Sequence, residues 1–235
     1  MRKMIIFLLM PVFMVSCDQK TLQSALDILS APLTNADIAN GLKEALNLGV
    51  GESVDFLSAK DGYLKSIYKI ALPEEATKVT DKLKFIPGFT NVEEIAIEKI
   101  NRAAEDAASK AAPIFLDAIK GMSFEDAMGI LMGERNAATQ YLNNKTYDAL
   151  YGEFKPVLIN SLNKFGALEY WSDAINKYNS IPLLEDVNPD LADHVATKAL
   201  VGLFALVEKK EDGIRTDISQ RTSDLLKRVF AKQDK

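Results

Sequence analysis

The sequence predicts an all-α fold: one compact multi-helix bundle in which a buried helix of the C-terminal half packs on a central alanine-rich helix. Three observations carry this. Apolar residues recur at steps of three and four along most of the chain, the spacing of one helix face. Strand signals are scarce, with no alternating run longer than a few residues and no Asn-Gly or Asp-Gly pair between β-branched runs. Only 8 prolines and 12 glycines punctuate 235 residues, while 48% are hydrophobic, which supplies a sizeable core.

The first segment is a targeting signal by pattern. Arg2 and Lys3 precede a twelve-residue apolar stretch, Met4 to Val15, which is shorter than the roughly 20 residues of a membrane span. It ends Met14-Val15-Ser16-Cys17. A small residue before the only cysteine resembles a bacterial lipobox, with Met14 where Leu is preferred. The expected organisation is a lipoprotein signal peptide over residues 1–16, then a lipidated Cys17, short tether and first helix over 17–33, then an all-helical domain over 34–235. In that class of lipoprotein the Cys thiol is diacylated and the new N-terminus is usually acylated, and each buried methylene adds about 0.8 kcal/mol, so the chains anchor the domain without spanning the bilayer. Asp18 would mean inner-membrane retention under the enterobacterial sorting rule, which other bacteria do not follow. The expected location is the outer membrane, facing the periplasm.

Leu22, Ala25, Leu26 and Leu29 predict a short helix stopped near Pro32. Thr34 or Asn35 caps the next, through Ile38, Leu42, Ala45 and Leu46, with Gly49 and Gly51 loosening or ending it. Leu72-Pro73-Glu74-Glu75 reads as a helix start with proline at its first position, and that helix ends near Pro87-Gly88. The stretch Ile97–Tyr141 is the expected spine. Six alanines lie between Ala103 and Ala112, and Pro113 predicts a kink or break at Ala112. Ser123 with Asp126 forms a capping box for a helix over Phe124–Met132, which Gly133 closes in the left-handed conformation.

Beyond the spine, Asn136–Tyr141 reads as a short helix and Asn143-Asn144 as a turn. Thr146 caps a helix to Phe154, and Pro156 opens another toward Gly166. Leu168, Trp171, Ile175 and Tyr178 mark a helix whose aromatics belong to the core. Asn188-Pro189-Asp190 starts the last long helix. Its run Ala199–Val207 has nine residues without a polar side chain and is expected to be buried all round. The tail from Ser223 packs through Leu225, Leu226, Val229 and Phe230.

Net charge is −5, and removing residues 1–16 with Arg2 and Lys3 takes it to −7, poor electrostatics for nucleic acid. Gly213–Lys235 is locally basic, with six Lys or Arg against three Asp, and reads as a solvated helix face. One cysteine and one histidine leave no internal disulfide and no Cys/His zinc site. His194 alone is available to a histidine-dependent mechanism, and no nucleophile lies near it in sequence, so it reads as a core or rim residue. On the spine, Asn101 and Glu105 share a face, and Arg102 reaches Glu98 and Asp106 one turn away.

Gly41-Leu-Lys-Glu-Ala-Leu46, Leu72-Pro73, Asn101-Arg-Ala-Ala-Glu105, Pro113-Ile-Phe115, Asp126-Ala127, Ala137-Ala-Thr139, Gly202-Leu-Phe204, Ile214-Arg215 and Arg221-Thr222 cover nearly all of the expected mature chain. Together they resemble the bacterial lipoprotein family known as domain of unknown function 4197. The resemblance implies an all-helical, lipid-anchored envelope protein and carries no activity, so no functional residue is transferred. It does single out polar residues: Asn101, Arg102, Glu105, Asp117, Asp126, Thr139, Arg215, Arg221 and Thr222. Helix capping and buried ion pairs are the structural role open to them.

The expected function is a non-enzymatic protein-interaction or scaffold module, tied to the membrane through Cys17 and meeting an envelope protein partner. The alternative is a binder of an apolar or amphiphilic ligand between helices, with Arg215 or Arg221 meeting an acidic headgroup. A hydrolase using Glu105, Asp117 or Asp126 as acid and base has the least support. No cofactor or metal is expected.

Overall fold

Of the two caps the sequence offers, Thr34 and Asn35, Thr34 starts the described helices. Its hydroxyl accepts from the Asp37 amide (3.1 Å), and Asp37 reaches back to the Thr34 amide (2.9 Å). The computed structural model describes residues 32–164, 166–187 and 190–234. The signal peptide, Cys17, the helix expected over Leu22–Leu29 and the Asn188-Pro189 pair lie outside the described residues.

In chain order the helices are α1 (Asn35–Ser58), α2 (Glu74–Leu83), α3 (Val92–Ala108), α4 (Ala111–Lys120), α5 (Phe124–Leu131), α6 (Ala137–Lys164), α7 (Ala167–Asn179), α8 (Leu191–Thr216) and α9 (Asp224–Phe230). No strand occurs among the described residues. The all-α expectation holds, and residues from Leu33 onward form one compact unit. Its centre is the pairing of α6 with α8, against which α3 and α1 pack.

Several boundaries differ from expectation, each for a packing reason. The helix from Thr34 does not stop at Gly49 or Gly51 but runs 24 residues, because Val50, Val54 and Leu57 extend its buried stripe. Gly41 on this helix is where α9 crosses closely; a Cβ there would stand 2.6 Å from Val229 Cγ2. Pro73 is the cap residue of α2 rather than its first helical residue. The spine breaks at Ser109-Lys110, two residues ahead of Pro113, so that the proline falls in the first turn of α4, where a missing amide costs nothing. The spine is therefore α3, α4, α5 and the start of α6. Its alanines Ala103, Ala104, Ala107 and Ala108 are fully buried and bring neighbouring helices close.

The capping box at Ser123 and Asp126 is present at both bonds. Gly133 does not adopt the left-handed conformation. It is needed for space, since a Cβ would lie 2.7 Å from the Gly129 carbonyl. The three helices expected over 136–166 are one 28-residue helix, α6, that passes through Asn143-Asn144 and contains Pro156. The stripe Leu142, Thr146, Leu150, Phe154, Leu158 and Leu162 is buried along its whole length, and that burial outweighs one lost backbone bond at the proline. Thr146 does not cap; its hydroxyl donates to the Leu142 carbonyl at 2.6 Å. Asp190 caps α8 by accepting from the Asp193 amide (2.9 Å). The apolar run of α8 is not buried all round. Leu200, Leu203 and Val207 face the core, whereas Val201 is 58% exposed and Ala205 is also on the surface.

Candidate functional site

The polar residues singled out in the sequence separate into two buried groups and three positions outside them. The first group sits at one turn of α8. Glu211 is 8% exposed and turns toward the N-terminus of α6. It accepts from the amides of Ala138 (2.9 Å) and Thr139 (2.8 Å) and from the Thr139 hydroxyl (2.8 Å). These are donors that a helix leaves without internal partners, so Glu211 caps α6 from another helix. Arg215, one turn on, donates through Nε to Glu211 Oε1 (2.9 Å). Its other nitrogens donate to the carbonyls of Ile130 (2.9 Å) and Leu131 (3.3 Å), at the C-terminal end of α5. The charges match the helix dipoles at both ends.

Arg221 repeats the device on α8 itself. It donates to the Ile214 (2.9 Å) and Arg215 (3.0 Å) carbonyls in the last turn of α8, and forms a two-pronged pair with Asp234 at 2.7 Å on each oxygen. The guanidinium holds the Asp234 carboxyl below the usual carboxylate range. Two of the basic residues of Gly213–Lys235 therefore depart from the expected solvated face: Arg215 is 6% and Arg221 2% exposed, because uncapped carbonyls draw both inward, whereas Lys227 is exposed. Thr222 is exposed. A cavity of about 20 Å³ lies beside the pair, lined by Leu46, Glu211, Arg215 and Phe230 among others, with room for one water.

The second group projects from α3 onto the connection between α1 and α2. Asn101 is fully buried. Its amide accepts from the Ile70 amide and donates to the Ile70 carbonyl, both at 2.8 Å, and donates to Ile97 at 2.7 Å. Glu105 accepts from the amides of Tyr63 (3.3 Å) and Leu64 (3.2 Å). Arg102 links Glu105 (2.8 Å) to Asp61 (2.7 Å), with Glu98 at 4.0 Å, and not to Asp106, which accepts from Ser161 instead. Hydrogen bonds from Arg102 and then Lys65 hold the Asp61 carboxyl below its ordinary value, and those to Glu105 and Asp61 raise the guanidinium. Burial, with the Glu105 charge second, pushes the Tyr63 phenol far up, and it donates to the Ala199 carbonyl at 2.8 Å.

Asp117 and Asp126 belong to neither group. Asp117 is on the surface beside Lys120 (3.7 Å), and Asp126 is occupied by its capping box. The sequence reading missed Glu211, Asp61 and Asp234. Glu211 was legible in part, since it continues the buried stripe of Leu200, Leu203 and Val207 at helical spacing and stands four residues before Arg215. Among the described residues no three His, Cys, Asp or Glu side chains converge as a metal ion requires.

The connection held by Asn101, Glu105 and Arg102 forms one wall of a surface trough of about 620 Å³, and the exposed face of α8 forms the other. Ile67, Tyr68 and Leu72 line it from the connection, and His194, Lys198, Val201 and Ala205 line it from α8. His194 sits at the rim with Nε2 2.8 Å from the Ala71 carbonyl, so Nε2 carries the donated proton. Gly202 lets the wall approach, because a Cβ there would lie 3.1 Å from the Tyr63 ring and 3.4 Å from Tyr68. A second trough of about 600 Å³ on the far side of α8 shares Val201 and Ala205 and includes Thr139, Tyr147 and Phe204.

No curated protein and no solved structure matches the chain. A family described as Protein of unknown function (DUF4197) matches over residues 32–231. With both buried groups, α8 and the trough walls inside that span, the chain belongs to the DUF4197 family.

Proposed function

We propose that this protein is a lipid-anchored component of the bacterial cell envelope, held at the outer membrane by acyl chains on Cys17, and that it works as a non-enzymatic interaction module. The observation that carries the reading is how the polar side chains are used. Asn101, Glu105, Glu211, Arg215 and Arg221 each direct their hydrogen-bonding groups to helix ends, to the 61–73 connection or to one another. They build a rigid frame whose outward product is an exposed apolar ridge. The same geometry favours a surface for a partner over a ligand held between helices, since both guanidiniums face internal partners and the space beside Arg215 is about 20 Å³. No helix among the described residues is long and apolar enough to cross a membrane. An anchor at Cys17 accounts for attachment in another way.

The test has two readouts. Cells fed radiolabelled palmitate should label the wild-type protein and not Cys17→Ser, which should also leave the membrane fraction. A lysine-reactive crosslinker applied to intact cells should give a discrete adduct of higher mass. Equal labelling of both forms would overturn the anchor, and a protein that remains uncrosslinked at its native abundance would overturn the interaction module.

A further inference from the structure

The trough between α8 and the connection preceding α2 combines an apolar floor with a basic rim. Ile67 is 85% exposed and Val201 58%, facing each other across it with Ala205. Phe56, 48% exposed, packs edge-on to Tyr68 with ring centroids 6.5 Å apart and extends the apolar surface. Large aliphatic side chains this exposed on the walls of one trough are what a docking surface leaves unburied. The rim carries Lys69 and Lys198, both exposed, and neither has a carboxylate partner among the described residues. The one lining carboxylate, Glu74, is engaged by Lys78 at 3.2 Å. The trough's own lining is therefore net positive, Lys69 and Lys198 against Glu74, on a chain of net charge −5, with Glu93, Glu94 and Glu98 in the adjoining hollow that Lys69 also borders.

We infer that this trough receives a short segment of a partner protein, carrying apolar side chains flanked by carboxylates. The inference rests on the interaction-module reading and names the partner's chemistry. Charge complementarity sets the acidic flanks: two unpaired ammonium groups above an apolar floor attract carboxylates and repel basic segments. The open form argues for a protein segment. A small-molecule site encloses most of its ligand, whereas this trough is open along its length and continues over the Val201–Ala205 ridge into the second trough. The wall is preorganised. Asn101 grips both backbone groups of Ile70, His194 holds Ala71, and Gly202 seats Tyr68, so little ordering is left for binding to supply.

The experiment pans a library of random peptides, each about a dozen residues long, against the protein purified from membranes and held in nanodiscs. Enriched peptides should carry apolar residues flanked by Asp or Glu. A fluorescein-labelled enriched peptide should bind by anisotropy about tenfold or more weakly to Val201→Glu. The same peptide should bind weakly to Lys69→Glu/Lys198→Glu, and panning that double variant should enrich Lys and Arg flanks instead. All three positions are exposed, so the variants should keep the wild-type melting midpoint. Enrichment without acidic flanks, or binding indifferent to both variants, overturns the inference. So does a fatty-acid-sized adduct in native mass spectra that Val201→Glu removes, since the trough would then be an amphiphile site. A photo-crosslinking residue placed at Val201, or at exposed Phe85 as the comparison, separates this inference from the broader reading in intact cells. Crosslinks at Val201 support the trough. Crosslinks at Phe85 alone overturn the trough and leave an interaction module, and none at either position overturns both.

Discussion

Replacing Glu211 with alanine removes one carboxylate that serves two helices and an arginine. The Ala138 and Thr139 amides lose their acceptor at the start of α6, and Arg215 loses the anion 2.9 Å from it. Loss of a helix N-cap costs about 0.5–2 kcal/mol. Removing one partner of a buried ion pair costs about 3–5 kcal/mol, because the other charge stays buried without compensation. Arg215 keeps the Ile130 and Leu131 carbonyls, so the two costs overlap and about 4–6 kcal/mol is expected. Against a typical domain stability of about 5–15 kcal/mol this is a large fraction, equivalent to a fall of roughly 10–20 °C in melting temperature. Urea unfolding followed by far-UV circular dichroism measures the loss, and hydrogen exchange should show it locally as lost protection at the amides of residues 138 and 139. Glu211→Gln keeps an acceptor and should cost about half as much. Arg215→Met combined with Glu211→Leu removes the stranded charge, so the double variant should be more stable than the sum of the singles predicts by about 2 kcal/mol or more. A loss below about 1 kcal/mol for Glu211→Ala, or additivity within about 0.5 kcal/mol in the cycle, would refute the capping argument.

Four further outcomes are expected. Asn101→Ala leaves both backbone groups of buried Ile70 without partners and should cost about 2–3 kcal/mol in urea titration, with faster exchange at the Ile70 amide. Asp117→Ala should change stability by less than about 0.5 kcal/mol, since Asp117 makes only an exposed pair with Lys120, and a larger loss would mean Asp117 has a role this packing does not give it. Acid should destabilise the fold through carboxylates whose folded values are depressed, Asp234 and Asp61 among them. Their contribution is complete above the unfolded carboxylate value of about 3.9 and is lost as pH falls from there through the folded value, so melting curves should be level between about pH 5 and 7 and drop below about pH 4, less steeply in Asp234→Asn. Gly41→Ala should cost about 1–3 kcal/mol by pushing Val229 off α1, and adding Val229→Ala should recover most of it.

How far the site could be read from sequence varies with the residue. Asn101 stood out as a polar residue on an alanine face, but the sequence could not say that its amide would clamp Ile70, thirty-one positions away. Arg102 had acids at Glu98 and Asp106 within one turn, yet it turned to Asp61, which only the crossing of the connection over α3 brings near. The sequence leaves Arg215 and Arg221 open to a solvated basic face, an acidic headgroup or a buried ion pair, because nothing local to them separates the three. What draws them inward is the set of uncapped carbonyls at the ends of α5 and α8, and those ends exist only after the helices have packed.

By itself the sequence determined what local physics can decide: helical periodicity, the Thr34 and Ser123 caps, the break near Pro113 and the apolar stripes that drive burial. Each depends on residues within a turn or two of one another. Tertiary structure alone decided the rest. It joined three expected helices into α6, because a buried stripe outweighs local turn signals and an internal proline. It left Val201 and Ala205 on the surface, because α8 has neighbours on only part of its circumference. It also made Glu211, Arg215 and Arg221 caps for helix ends, since only packing brings a side chain to backbone groups that its own helix cannot reach.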